Sequence, residues 1–310
     1  IDFTQKKITF LNQDGDLKVE LKQFWTAHHS SKLWMYNLHY FEDLLRHDYL
    51  DHCKEHHQFI KAWLSQEFNH HDVPFEAYPL SLRIVNWIKW SLNGNQLDTQ
   101  SEHSLIVQVR YLSKNLETHL LGNHFFANAK ALIFAGLFFC GEEANNFYRT
   151  GLDIVKKELP EQVLPDGGNF ELSTMYHAIF LEDLLDIVNI HRTYKNELPK
   201  DIGRAIQKMS NWLVAMCHPD GEISFFNDAA IGIAPSVDEL IRYSEKLGFG
   251  LSQVNLDLID FPDSGYSRIA IGDAVAIVDR ASIVPVLFPL SVLISSVIPR
   301  VRCNLVPVFL

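Results

Sequence analysis

The sequence predicts a mainly α-helical protein, built of helical hairpins packed in a ring or array, with the start of a β-rich domain near its C-terminal end. Three observations carry this. Residues 32–250 read almost throughout as helices joined by short polar loops, nearly ten segments at roughly regular spacing. One of them, FFANAKALIFAGLFF, is apolar all round and so belongs at the centre of a core. Past Leu258 the pattern changes to alternation, SGYSRIAIGDAVAIVD, with β-branched residues either side of Gly272-Asp273, the signature of a tight hairpin.

Taken in order, residues 34–50 form an aromatic-rich amphipathic segment. Residues 56–68 place Phe59, Ile60, Trp63 and Leu64 at helical spacing. Residues 79–92 open with Pro79, which suits a first helical turn, and end at Asn93-Gly94. Segments 104–121 and 125–139 follow, with Asn123 as the expected N-cap of the second. Segments 145–159, 176–194, 202–216 and 237–247 complete the series, the second of these with Ser173 as its cap. The expected division is a helical domain over 1–257 and a β-rich segment over 258–310.

The 310 residues, 47% hydrophobic with 21 Phe, 10 Tyr and 6 Trp, can bury enough apolar area to offset their ordering entropy. A formal net charge of -11 argues against a nucleic-acid surface. It also weighs mildly against a highly sulfated ligand, although a local basic or His-lined cleft can hold an anion within an acidic far field. Cys53, Cys140, Cys217 and Cys303 are far apart and form no CxxC pair. Three of them fall in helix-like apolar patterns and read as core thiols. His52 and His56 stand four apart, a metal-ligand spacing, and His28-His29, His56-His57 and His70-His71 add imidazoles. None has the Cys or Glu spacing of a zinc signature, so they read as surface or interface histidines.

Three loop-edge motifs hold the candidate chemistry. LGNHFFAN (121–128) puts Asn123 and His124 at the mouth of the most apolar helix, either as a cap and a buried His or as donors for an anionic or carbonyl group. LPDGGNFELSTMYH (164–177) is turn chemistry leading into a helix, with Glu171, Tyr176 and His177 beyond what capping needs. HPDGEISFFND (218–228) gathers carboxylates and an Asn after a helix; for Asp220 and Glu222 a solvated loop is explanation enough.

Together LWMYNLHYFEDLL, YPLSLRIVNWIKW, LLGNHFFANAKALIFAGLFF, DGGNFELSTMYHAIFLEDLLD and HPDGEISFFNDAA, spread over residues 33–230, resemble the heparinase II/III-like polysaccharide lyases. The resemblance implies an incomplete (α/α) toroid followed by a β-sandwich, with uronic-acid polysaccharide bound between them. It implies that Asn123 and His124 neutralise the uronate carboxylate and that Tyr176 is the catalytic Tyr. By the same resemblance Arg83, Asn37, His39, Glu171, Asn227 and Asp228 line the cleft. His124, His177 or Arg83 would supply the cationic or donor neighbours that a phenol of pKa about 10 needs to act as a base.

The implied reaction is a β-elimination needing no metal or organic cofactor, with an acidic polysaccharide or oligosaccharide as partner. Nucleic acid and a membrane span are not expected, and the oligomeric state is open. The family points to the periplasm or to secretion, but the chain opens at Ile1 without a signal peptide and reads as a fragment or processed form.

The chain departs from the family after Arg280. Where a further His-rich motif is expected, residues 281–310 have no His, Gly, Asp, Glu or Lys and four prolines, Pro285, Pro289, Pro299 and Pro307. They read as a frameshifted or truncated end, a poor source of sheet strands, and turnover is expected to be weak. Two other classes stay open: an inactive saccharide-binding remnant, and a glycoside hydrolase on a similar toroid using two of Asp166, Glu171, Asp220 and Asp228.

Overall fold

The structure, a computed structural model, describes residues 1–2, 7–16, 25, 31–46, 48–118, 122–194, 196–252, 256–272, 274–280 and 302–305. Two compact units divide at Val155/Lys156.

The first unit opens with a hairpin that the periodicity reading passed over. Strands β1 (Lys7–Phe10) and β2 (Gln13–Asp16) pair antiparallel, Lys7 opposite Asp16. Leu11 and Asn12 turn the chain with φ of 53° and 59°, a geometry for which Asn is one of the better suited residues.

The aromatic segment 34–50 is not one helix. Helix α1 (Lys32–Tyr40), capped by the Ser31 side chain at 3.2 Å from the Trp34 N–H, stops at Phe41 in the left-handed region, φ 60°. A 3₁₀ turn, Glu42–Leu45, follows. Helices α2 (Cys53–Leu64), α3 (Ala77–Leu92) and α4 (Thr99–Lys114) come next. Helix α4 starts earlier than expected because Asp98 caps it, accepting from the Ser101 N–H at 2.9 Å. Helix α5 (Asn123–Phe138) is the all-apolar segment, and Phe125 to Leu137 are buried without interruption. Its neighbour α6 (Glu142–Gln162) lies very close. A Cβ on Gly136 would stand 2.5 Å from the Tyr148 nitrogen, and one on Gly151 2.7 Å from the Ala129 oxygen. Buried rings of Trp25, Phe41, Phe59 and Trp63 form a cluster with Trp87 of α3.

The second unit holds α7 (Thr174–Thr193), α8 (Lys200–Ala215) and α9 (Val237–Lys246), the last opened by a reciprocal Ser236–Glu239 cap. Strands β3 (Leu258–Phe261), β4 (Tyr266–Ile271), β5 (Ala274–Asp279) and β6 (Arg302–Leu305) form one antiparallel sheet in sequence order. The hairpin turns at Gly272 as expected, with Ile271 opposite Ala274.

The sheet shares its core with α8. Trp212, Ala215 and Met216 pack with Phe261, Tyr266, Val275 and Ile277. Arg268, nearly buried, donates to the carbonyls of Ala215, Cys217 and Leu256 at 3.0, 2.6 and 3.1 Å. It thereby satisfies carbonyls that the end of α8 leaves open. The Pro-rich 281–301 and 306–310, where an aberrant tail was expected, lie outside the described residues; between them, the backbone of Arg302–Leu305 pairs with Ala276–Asp279.

Two further expectations need correction. Of the thiols expected in cores, Cys217 is buried, Cys53 is half-buried and Cys140 is exposed. His56 is not a surface residue: it is buried, 3.5 Å from Asp43, while His57 lies against the Trp90 ring and His70 against Tyr111. His28 and His29 lie outside the described residues. Among the described residues no group of three or more His, Cys, Asp or Glu stands ready to hold a metal, and no helix is long and apolar enough to cross a membrane.

Candidate functional site

In the first unit the site forms at the mouth of α5. Gly122, with φ 87° and no side-chain cap bond, is the N-cap; Asn123 is therefore the first helical residue rather than the cap. Asn123 and His124 are both half-buried. The His124 ring stacks on Tyr78 from α3, centroids 4.2 Å apart at 20°. Its Nδ1 lies 3.3 Å from Glu117 Oε2. Fully buried Asn128 accepts from the Glu117 N–H at 2.9 Å and donates to Ser81 Oγ at 3.0 Å. Nearby, the Tyr36 hydroxyl donates to Glu76, which also meets Lys32 at 2.8 Å. Burial and Glu76 hold the Tyr36 phenol above its ordinary range.

Of three further residues expected at the cleft, Arg83 and His39 are buried and Asn37 is half-buried. Arg83 is fully buried, its guanidinium 4.4 Å over the Trp63 ring. It donates to Gln108 Oε1 at 2.8 Å and to the carbonyls of Pro74 at 2.7 Å and His39 at 3.3 Å. His39 is equally buried and accepts from Trp63 Nε1 at its Nδ1, 3.2 Å. Burial first and the Arg83 charge second keep it neutral, well below the ordinary imidazole range. Asn37 returns its amide to the Leu33 carbonyl, 2.8 Å, one turn back on α1.

In the second unit the site lies where two loops are tied together. In the first loop, the Asp166 carboxylate accepts from the Gly168 N–H at 3.0 Å and from the Ser264 N–H and hydroxyl at 2.6 and 3.0 Å. Gly167, φ 96°, passes so close to α8 that a Cβ would stand 2.6 Å from the Lys208 oxygen. Ser173 caps α7 as expected, 3.5 Å from the Tyr176 N–H, which puts Tyr176 in the opening turn. Across the gap the Thr174 hydroxyl donates to the Ser224 carbonyl. Leu172 and Asn227 both adopt left-handed backbone, φ 56° and 51°, a strained choice for Leu. The Leu172 carbonyl is held by Asn227 Nδ2 at 2.6 Å and by the hydroxyl of fully buried Tyr266 at 2.7 Å.

Tyr176 is half-buried. Burial, then the carboxylates of Glu171 and Asp228, raise its phenol above the ordinary value. Among the described residues, the charges that act on Tyr176 are the acids Glu171 and Asp228 rather than the cations expected for a basic Tyr. His177 cannot be the missing cation. It is fully buried and stacked 4.4 Å from Trp212, its Nδ1 accepting from the Asn169 N–H at 3.2 Å and its Nε2 donating to the Met209 carbonyl at 3.0 Å. Those two bonds require the neutral Nε2–H ring, and burial pushes its pKa down to about 4. Asp228 and Asn227 are exposed.

Comparison with known proteins follows these motifs. Residues 96–246 match the family model of the heparinase II/III N-terminus. A heparin-sulfate lyase of Bacteroides stercoris is 34% identical over 113 residues, 36% of this chain and 17% of that protein. One of Pedobacter heparinus is 28% identical over 127 residues, 40% of this chain and 19% of that protein. Over this stretch, just under half of the chain, the sequence is similar to the heparinase II/III-like family. Among solved structures, heparinase III shares the fold at a TM-score of 0.67 and 16% identity, over 88% of this chain and 48% of that one. The heparan sulfate lyase HepC of Pedobacter heparinus gives 0.59 and 16% over 89% and 50%.

The chain thus spans about half the length of its solved relatives. The heparinase II/III-like stretch contains Asn123, His124, Glu171, Tyr176, His177, Asn227 and Asp228 but excludes Asn37, His39 and Arg83. Sequence reading missed Glu117, Tyr78 and Tyr266. Asn128 was in view, in the same motif as His124; nothing local ties Tyr78 or Tyr266 to residues 46 and 94 positions away.

Proposed function

We propose that this chain serves β-elimination on a uronic-acid-containing polysaccharide of the glycosaminoglycan class, with Asn123, His124 and Tyr176 as its chemical groups. The reading is carried by the family match over all three, together with a half-buried Tyr176 kept protonated by its surroundings. Elimination takes the proton from the carbon beside the carboxyl group and expels the 4-linked oxygen. Donors such as Asn123 and His124 disperse the charge that builds on that carboxyl in the enolate-like transition state. A Tyr176 phenolate would take that proton and, as the neutral phenol so formed, return it to the departing oxygen; forming the phenolate needs added positive charge to offset Glu171 and Asp228. Glu171, Asn227 and Asp228 are proposed to flank the saccharide, and with no His in residues 281–310 turnover is expected to be weak.

One feature favours a pure binding role as second reading: the same His-free residues. Hydrolysis is the weaker alternative, because Asp166, one of its candidate acids, is already committed to Gly168 and Ser264. The deciding assay incubates the chain with heparan sulfate and follows the ultraviolet absorbance of the new carbon–carbon double bond. Reducing ends without that absorbance would establish hydrolysis, and binding with neither would establish the saccharide-binding role. Within the lyase reading, Tyr176→Phe loses about 10²- to 10⁴-fold in rate while binding nearly as the parent does.

A further inference from the structure

We propose that Glu117 is a positioning residue for His124: its carboxylate fixes the imidazole as the Nδ1–H tautomer and turns Nε2 toward ligand. The proposal rests on the reading of His124 as a ligand-facing residue. Its own support is geometric. An imidazole's tautomer is set by the partner of one nitrogen, and a carboxylate can only accept. Glu117 Oε2 lies 3.3 Å from Nδ1. The backbone of Glu117 is anchored, its N–H bound by Asn128, whose other amide group is spent on Ser81 in the interior. The side chain of Glu117 is 14% exposed against 32% for His124, so the acid is the inner and the ring the outer member of the pair.

Tyr78 supplies the third constraint. Its ring covers one face of the imidazole at 4.2 Å, which limits rotation about the last side-chain bond. Carboxylate and ring together leave one orientation, with Nε2 away from Glu117. The fixed ring is then preorganised, and none of the ligand's binding energy goes into orienting it.

The test reads the tautomer directly. Nitrogen-15 imidazole spectra of the whole chain at alkaline pH, with the His124 signals assigned by their loss in His124→Ala, are expected to show the proton on Nδ1. Glu117→Ala should move it to Nε2, the form a free side chain prefers. Glu117→Gln, which keeps an acceptor oxygen, should restore it to Nδ1; a role in folding alone would not follow this pattern. Binding of an unsaturated heparan sulfate tetrasaccharide should weaken about tenfold in Glu117→Ala and recover in Glu117→Gln. A wild-type ring protonated on Nε2, or a proton that stays on Nδ1 in Glu117→Ala, overturns the proposal. Tetrasaccharide binding unchanged in His124→Ala would instead refute the ligand-facing reading, while the spectra still decide what Glu117 does.

Discussion

His177 offers the sharpest test of how the second unit is built, because its two ring bonds fix its protonation state. Its folded pKa of about 4 against an ordinary 6.5 means that between those values the unfolded chain binds a proton and the folded chain does not. Stability therefore falls as pH drops through that window, and the part due to His177 is fully present above pH 6.5 and fully lost below pH 4. The whole shift is worth roughly 3 kcal/mol, and most of it is lost by pH 4.5. Other acids titrate over the same range, so the assay is a difference of differences. Urea unfolding of the parent and of His177→Phe is measured at pH 8 and pH 4.5. The variant is less stable at pH 8, since it strands the Asn169 N–H and the Met209 carbonyl. The gap between the two proteins should narrow by roughly 2–3 kcal/mol at pH 4.5. A gap that does not change with pH would show that His177 can carry charge in the folded chain, and would reopen it as a cationic neighbour of Tyr176.

The remaining predictions are simpler. Gly136→Ala forces a methyl to 2.5 Å from the Tyr148 backbone and should destabilise by about 1–3 kcal/mol, read from the urea midpoint. Asp166→Ala removes the acceptor for Gly168 and for both Ser264 donors. It should cost about 1–3 kcal/mol of stability without producing or abolishing a hydrolytic activity. Arg83→Met should cut stability while leaving saccharide affinity per folded molecule unchanged, because the guanidinium is spent on Gln108, Pro74 and His39.

Much of the fold was legible because its signals are local. The uniformly apolar run of α5 is buried on every side, Ser173 caps α7, and Gly272 turns the hairpin where alternation placed it. Errors arose where one residue's backbone overruled the pattern. Phe41 enters the left-handed region and splits an aromatic run that periodicity reads as continuous; Gly122 takes the cap from Asn123. The site was less legible. The resemblance put Arg83 and His39 at a cleft and residue type marked His177, but all three are buried, and burial is a property of neighbours distant in sequence. The same holds for Tyr176, whose Glu171 is five residues away but whose Asp228 comes from another loop.

The bond from the Tyr266 hydroxyl to the Leu172 carbonyl spans 94 residues, and this has a consequence for synthesis. A ribosome that has just released α7 has made Tyr176 but not the strand that holds the strained turn in front of it. Until β4 emerges, the left-handed Leu172 lacks one of the two side-chain bonds to its carbonyl, with Asn227 alone to hold it, and the strained backbone is correspondingly less secure. The hairpin near Gly272 is thus a late-arriving clasp as well as a piece of sheet. In a nascent chain, conformational antibodies or limited proteolysis directed at residues 164–173 should register the finished turn only after about residue 280 has cleared the exit tunnel.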